Sequence, residues 1–277
     1  MEINIPPSPS FNDNDMVSID LNEPPRLSRK DKLTFLIEKY KINEIFSEKL
    51  DYLTEYETVI LCDDSGSMNT KIKNKNKNKD KNFETRWDEL KYIINLLISL
   101  LTLYNNNGIN IHFLNRGIIE NVRYEEEAKY FFFDLPFGET PLTSKLSEIF
   151  YNYKDSNKKI LIIITTDGAP TYKNKLDLAN FKKILQNMDY NKFIVTFLAC
   201  SDNSQDILYL KDLNNIRGIN VLNNYKLEKK EIKKIQGNSF DYSLEDHITR
   251  LILQPICEDL NDLNSKRIKD KNNCFIS

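Results

Sequence analysis

Residues 158–166 read KKILIIITT, and five of them in a row are aliphatic. The run is β-branched, lacks helical periodicity, and is too short for a buried helix, so it reads as a strand that is apolar on both faces. Such a strand needs cover on two sides. Four more segments have the same character: TVILC (58–62), INIHFLN (109–115), KFIVTFLAC (192–200) and GINVLN (218–223). KYFFFDL (129–135) is expected as a further strand at a sheet edge. Between them lie segments with apolar residues at helical spacing, at 85–104, 142–153, 176–188, 204–215 and 243–256. This alternation predicts a doubly wound α/β domain, a mostly parallel sheet with helices on both faces, over 58–257.

The flanks differ. Residues 1–28 are rich in Pro, Ser, Asn and Asp and are expected to lack a fixed fold. Residues 29–57 predict a helical extension, with Ser28 as N-cap and Leu33, Leu36, Ile37 and Tyr40 on one face, then a second short helix over 45–53. Residues 258–277 form a basic tail. Residues 71–82, KIKNKNKNKDKN, read as a solvated basic loop, with an anion- or membrane-facing patch as the alternative.

In a parallel sheet, ligands collect at the carboxyl ends of the strands. Three loops there carry oxygen. VILCDDSGSM (59–68) supplies Asp63, Ser65 and Ser67, with Gly66 letting the backbone bend. FGETPLTSKL (137–146) supplies Thr140, and ITTDGAPT (164–171) supplies Asp167 before Gly168 and Pro170. Five oxygen donors without nitrogen or sulfur suit a hard cation: Mg²⁺ first, with Ca²⁺ or Mn²⁺ as alternatives. Each loop alone could be a cap or a turn. Asp64 reads as a solvated turn residue, with support of the metal site from behind its ligands as the alternative; Trp87 and His112 read as packed residues, and His247 as exposed.

DDSGSM, GETPL and TTDGAPT together resemble the metal-ion-dependent adhesion site of von Willebrand factor type A domains. The resemblance covers about 200 residues, and is closer to a branch found in microbial eukaryotes and some large viruses. It implies direct metal binding by Ser65 and Ser67, and by Thr140 in the ligand-occupied form. Asp63 and Asp167 would act largely through water. It also implies that an acidic side chain of a partner protein completes the coordination, and that the last helix shifts with the state of the site.

Net charge is near neutral, with 39 basic against 41 acidic residues, so nothing drives the chain towards nucleic acid. No apolar stretch approaches the ~20 residues a membrane-spanning helix needs, and the first residues lack a secretory pattern. Cys62, Cys200, Cys257 and Cys274 are widely spaced, which fits a reducing cytosol better than a disulfide framework. The last four residues, CFIS, fit a farnesylation signal at Cys274, and nearby Lys266, Arg267, Lys269 and Lys271 supply a second, electrostatic membrane signal. The expected function is a cation-dependent protein-interaction module and not an enzyme, cytosolic and membrane-tethered. Two alternatives stand beside it. One is a Mg²⁺-dependent phosphatase-like hydrolase, although Ser65 occupies the place of its second carboxylate and no G-x-S-x-G frame is present. The other is a scaffold with an unused metal site.

Overall fold

The structure is a computed structural model describing residues 27–72, 83–201, 203 and 207–267. The expectations for residues 1–26, most of the basic loop 71–82 and Cys274 lie outside the described residues. The chain enters through α1 (Arg29–Tyr40), whose N-cap Ser28 accepts a hydrogen bond from the Asp31 amide in a capping box. α2 (Glu44–Ser47) and a 3-10 turn (Leu50–Glu55) lead into β1 (Tyr56–Cys62). α3 (Arg86–Leu101) follows, capped by Thr85. Then come β2 (Ile109–Phe113), β3 (Gly117–Val122), α4 (Glu125–Lys129), α5 (Leu142–Tyr153) and β4 (Lys159–Thr166). A small hairpin, β5 (Thr171–Tyr172) and β6 (Lys175–Leu176), precedes α6 (Leu178–Gln186) and β7 (Phe193–Ala199). The chain continues through α7 (Leu208–Leu213), β8 (Ile219–Leu222), α8 (Tyr225–Gln236) and α9 (Leu244–Leu253).

Six strands form one sheet in the order β3-β2-β1-β4-β7-β8, all parallel except β3 against β2. Ile160 to Ile164 are fully buried, as two-sided apolarity requires. One face packs on α5, α6 and α7 through Leu146, Ile149, Phe181, Leu185 and Leu210. The other carries α3 and α9, with the N-terminal Phe46, Leu50 and Leu53 joined to that core. Full burial of each such aliphatic side chain contributes about 1.5–3 kcal/mol. The architecture is therefore the predicted α/β sheet with helices on both faces.

Three expectations are corrected. Residues 129–135 are not a strand: α4 and a 3-10 turn (Tyr130–Phe132) occupy them. Phe131 and Phe132 pack on Phe113 from a helical turn, an arrangement a strand-like aromatic run conceals. The edge strand is β3, folded back through Gly117, whose φ of +100° is the positive value glycine tolerates. His247 is buried and not exposed, because α9 is covered on every side. Asp64 is also fully buried, for a reason given below.

Candidate functional site

The chain moves from β1 outward to β2 and β3, then returns to place β4 on the other flank of β1. Strand order thus reverses between β1 and β4, and the carboxyl ends of that pair form the crevice. Asp63 follows β1 directly and Asp167 follows β4 directly, so their neighbourhood is a consequence of topology.

A chain of short contacts links four of the predicted residues. The Asp63 carboxylate accepts the Ser65 amide at 2.9 Å through Oδ1, and the Thr166 hydroxyl at 2.7 Å through Oδ2. Ser65 Oγ lies 3.0 Å from Ser67 Oγ, and the Ser67 hydroxyl donates to Asp167 Oδ1 at 2.6 Å. The fifth residue, Thr140, is drawn in by its backbone. Its amide donates to Thr171 Oγ1 and its carbonyl accepts the Thr171 amide, both at 2.9 Å. The Gly66 amide reaches Gly138 O at 3.1 Å, tying the Thr140 loop to the first loop. Gly138 has φ +86°, and a Cβ there would lie 2.6 Å from Asn115 Oδ1, so only glycine fits.

Arg86 and Thr166, which the sequence does not single out, and Asp64 also bear on the cluster and its surroundings. Arg86, at the start of α3, donates to Asp167 Oδ2 at 2.6 Å and to Ser201 Oγ at 2.8 Å. Its side chain is 11% exposed and that of Asp167 is 0%. Thr166 donates to the second oxygen of Asp63. Asp64 points away from the cluster. It accepts the Asn115 amide at 2.8 Å and lies 3.2 Å from Arg116 Nε in an ion pair. Arg116 in turn donates to the carbonyls of Phe131, Asp134 and Leu135. It thereby fixes the loop that displays Phe133, Leu135 and Phe137, which are 64%, 74% and 55% exposed. An Asp-Asp pair signals a turn in sequence; only the return of Arg116 from the β2–β3 hairpin reveals the second carboxylate as a buried brace.

Burial pushes the Asp63 carboxyl up to about 7, with the Asp167 charge adding to the effect against the hydrogen bonds it accepts. Burial also raises Asp64, opposed by Asn115 and Arg116. Arg86 balances Asp167, and the Asp63 carboxyl, held by the Ser65 amide and the Thr166 hydroxyl, has no ion pair to a cation among the described residues. The donors are hydroxyl and carboxylate oxygens, which fit a hard cation and not a soft one. Among the described residues no three His, Cys, Asp or Glu side chains gather as a metal-holding group, so a cation here would depend on Ser65 and Ser67. A groove of about 1060 Å³ opens beside Ser67, Arg86 and Asp167 and runs between Leu176 and Leu208. The two described histidines lie elsewhere, His112 on β2 and His247 on α9. No helix among the described residues is long and apolar enough to cross a membrane.

No protein-family model matches the chain, and no curated protein matches its sequence. Among solved structures it is similar to the PilB minor pilin from Streptococcus sanguinis, at 13% identity and a TM-score of 0.46, over 76% of this chain and 62% of that one. It is similar to the SpRpn10 VWA domain at 12% identity and a TM-score of 0.44, over 68% of this chain and 99% of that one. Proximal thread matrix protein 1 from the mussel byssus gives 14% identity and a TM-score of 0.40, over 71% of this chain and 48% of that one. The chain thus spans less than two thirds of the pilin and about half of the byssus protein.

Proposed function

We propose that this chain is a von Willebrand factor type A-like module that binds a protein partner through a divalent cation, Mg²⁺ in the first instance. The observation that carries this reading is the hydrogen-bonded chain from Asp63 through Ser65 and Ser67 to Asp167 at the switch point of the sheet. Ser65, Ser67 and Thr140 would hold the ion, with Asp63 and Asp167 orienting the hydroxyls and balancing charge. When bound, the ion supplies an incompletely neutralised positive centre that accepts a carboxylate.

The surroundings favour a protein over a small anion. Phe133, Leu135 and Phe137 stand exposed on a loop bonded to the site: the Phe137 amide donates to Asp64 O at 2.8 Å, and the Asn69 amide group to Pro136 O at 2.7 Å. Exposed apolar side chains held rigidly beside a polar centre mark an interaction surface. Catalysis finds less support. His112 and His247 are buried away from the cluster, and Cys200, at the groove, has its thiol raised well above the usual range by burial. A base–nucleophile pair needs hydrogen-bond reach, and none of these three is bonded to Ser65 or Ser67.

The test is affinity capture with the full chain in Mg²⁺ and in EDTA, beside Asp63→Ala. A partner retained by wild type in Mg²⁺, and released by chelation and by the substitution, supports the reading. Capture indifferent to metal and to Asp63 overturns it.

A further inference from the structure

Arg86 is a cation at a helix start that uses its guanidinium away from the cap. It is the first residue of α3, and helix N-termini favour anions. The Thr85–Asp88 capping box already satisfies that end, so the cap does not need Arg86. The guanidinium instead spans two strand ends, Asp167 after β4 and Ser201 after β7. It lines the groove beside Ser67 and takes the Asp167 oxygen that Ser67 leaves.

We propose that Arg86 is the resident cation of this site, and that it sets how tightly a divalent ion binds. The inference rests on the cation-dependent reading above. Two effects act in the same direction. The guanidinium stabilises the metal-free cluster by pairing at 2.6 Å with Asp167, whose charge acts on the buried Asp63. It also places a like charge beside any incoming ion, and that repulsion is strong in a partly buried site. Removing the charge therefore favours the loaded form twice over. Arg86 is a positioning and affinity-setting residue; the ligand oxygens are those of the serines and Thr140. The consequence is a site that keeps its shape without metal and releases the ion readily.

The experiment measures Mn²⁺ binding to the full chain by electron paramagnetic resonance of the free ion, with thermal melting in Mn²⁺ and in EDTA. The variants are Arg86→Met, Arg86→Lys and Asp63→Ala. Arg86→Met is expected to tighten Mn²⁺ binding by about tenfold or more, from loss of one nearby unit charge. Its melting temperature should depend on Mn²⁺ more steeply than that of wild type. Arg86→Lys, which keeps the charge and loses the fork, should stay within about threefold of wild type. Wild-type binding with Arg86→Met equal or weaker overturns the inference and leaves the cation reading standing. Absence of binding in both overturns the cation reading and this inference with it. Binding only in Arg86→Met, abolished by adding Asp63→Ala, supports the inference in its strongest form. If Arg86→Met folds in neither buffer, Ser201→Ala decides: loosening one anchor of the guanidinium should tighten Mn²⁺ a few-fold, and no change or weakening overturns the inference.

Discussion

Between α8 and α9, Glu228 and Arg250 meet at 2.9 Å with side chains 3% and 0% exposed; at the ends of β1 and β4, Asp167 pairs with Arg86 at the mouth of a groove while Asp63 accepts the Ser65 amide and the Thr166 hydroxyl. Both regions bury charge, and they are finished differently. In the first, Glu228 and Arg250 neutralise each other. Asn223 donates to the remaining Glu228 oxygen, and Asn264 approaches both partners at 3.4 Å. Asp246 on the same helix accepts the Asn43 amide at 2.7 Å, tying the N-terminal extension to α9. In the second, negative charge is left over and one side is open. A paired, enclosed network serves the fold; an open one with a surplus carboxylate is where the proposed ligand would bind.

The largest effect should come from unbalancing the closed region. Arg250→Met leaves Glu228 buried without its counter-charge, and is expected to cost about 3–5 kcal/mol in urea denaturation. Adding Glu228→Leu should recover most of that loss, because the stranded charge goes with it. A double variant as unstable as the single one would show that the pair is worth more than its mutual compensation.

The next effect is pH-dependent. Burial lowers His247 to about 3, with Arg250 adding to the effect, and burial lowers His112 to about 4. Both imidazoles therefore fold neutral, and the unfolded chain binds protons that the folded one refuses. For a group depressed from about 6.5 in the unfolded chain, the stability is fully present above that value. It is lost progressively as pH falls from there towards the folded values. His247 alone should withdraw about 2 kcal/mol between pH 7.5 and pH 5. Subtracting the profile of His247→Gln isolates this contribution, and identical slopes for the two proteins would refute it.

The difference between the regions also explains what could be read from sequence. The sheet was legible because a strand such as 160–164 is apolar on both faces, and burial on both sides has few other solutions. Asp63, Ser65, Ser67 and Asp167 were legible because topology places the ends of β1 and β4 together, and sequence order already implies that topology. Arg86, Arg116 and Arg250 were not. Each acts on a partner distant in sequence: Asp167 from 86, Asp64 and the carbonyls of Phe131, Asp134 and Leu135 from 116, and Glu228 from 250. A chain with 39 basic residues, mostly lysine, gives no sign of which cations turn inward. His247 was misread for a related reason. A helix buried on all sides, with Asp246, His247 and Arg250 in its sequence, looks like an ordinary surface helix until its neighbours are in place.

The smallest effect should have the opposite sign. Asp63→Asn keeps the shape of the side chain and can still accept the Ser65 amide through its oxygen. It removes one of two like charges from a fully buried position, leaving Asp167 alone with Arg86. In EDTA the variant is therefore expected to be more stable than wild type by on the order of 1 kcal/mol, the scale of a relieved buried repulsion. In Mg²⁺ the order should invert or close up, because the cluster loses the charge that would balance the ion. Residues shaped by folding alone resist replacement, whereas residues kept for a ligand can be replaced with profit once the ligand is withheld. Paired melts of wild type and Asp63→Asn in EDTA and in Mg²⁺ measure this directly. A variant destabilised equally in both buffers would place Asp63 with Glu228 and Arg250, as part of the fabric of the fold and not of a binding site.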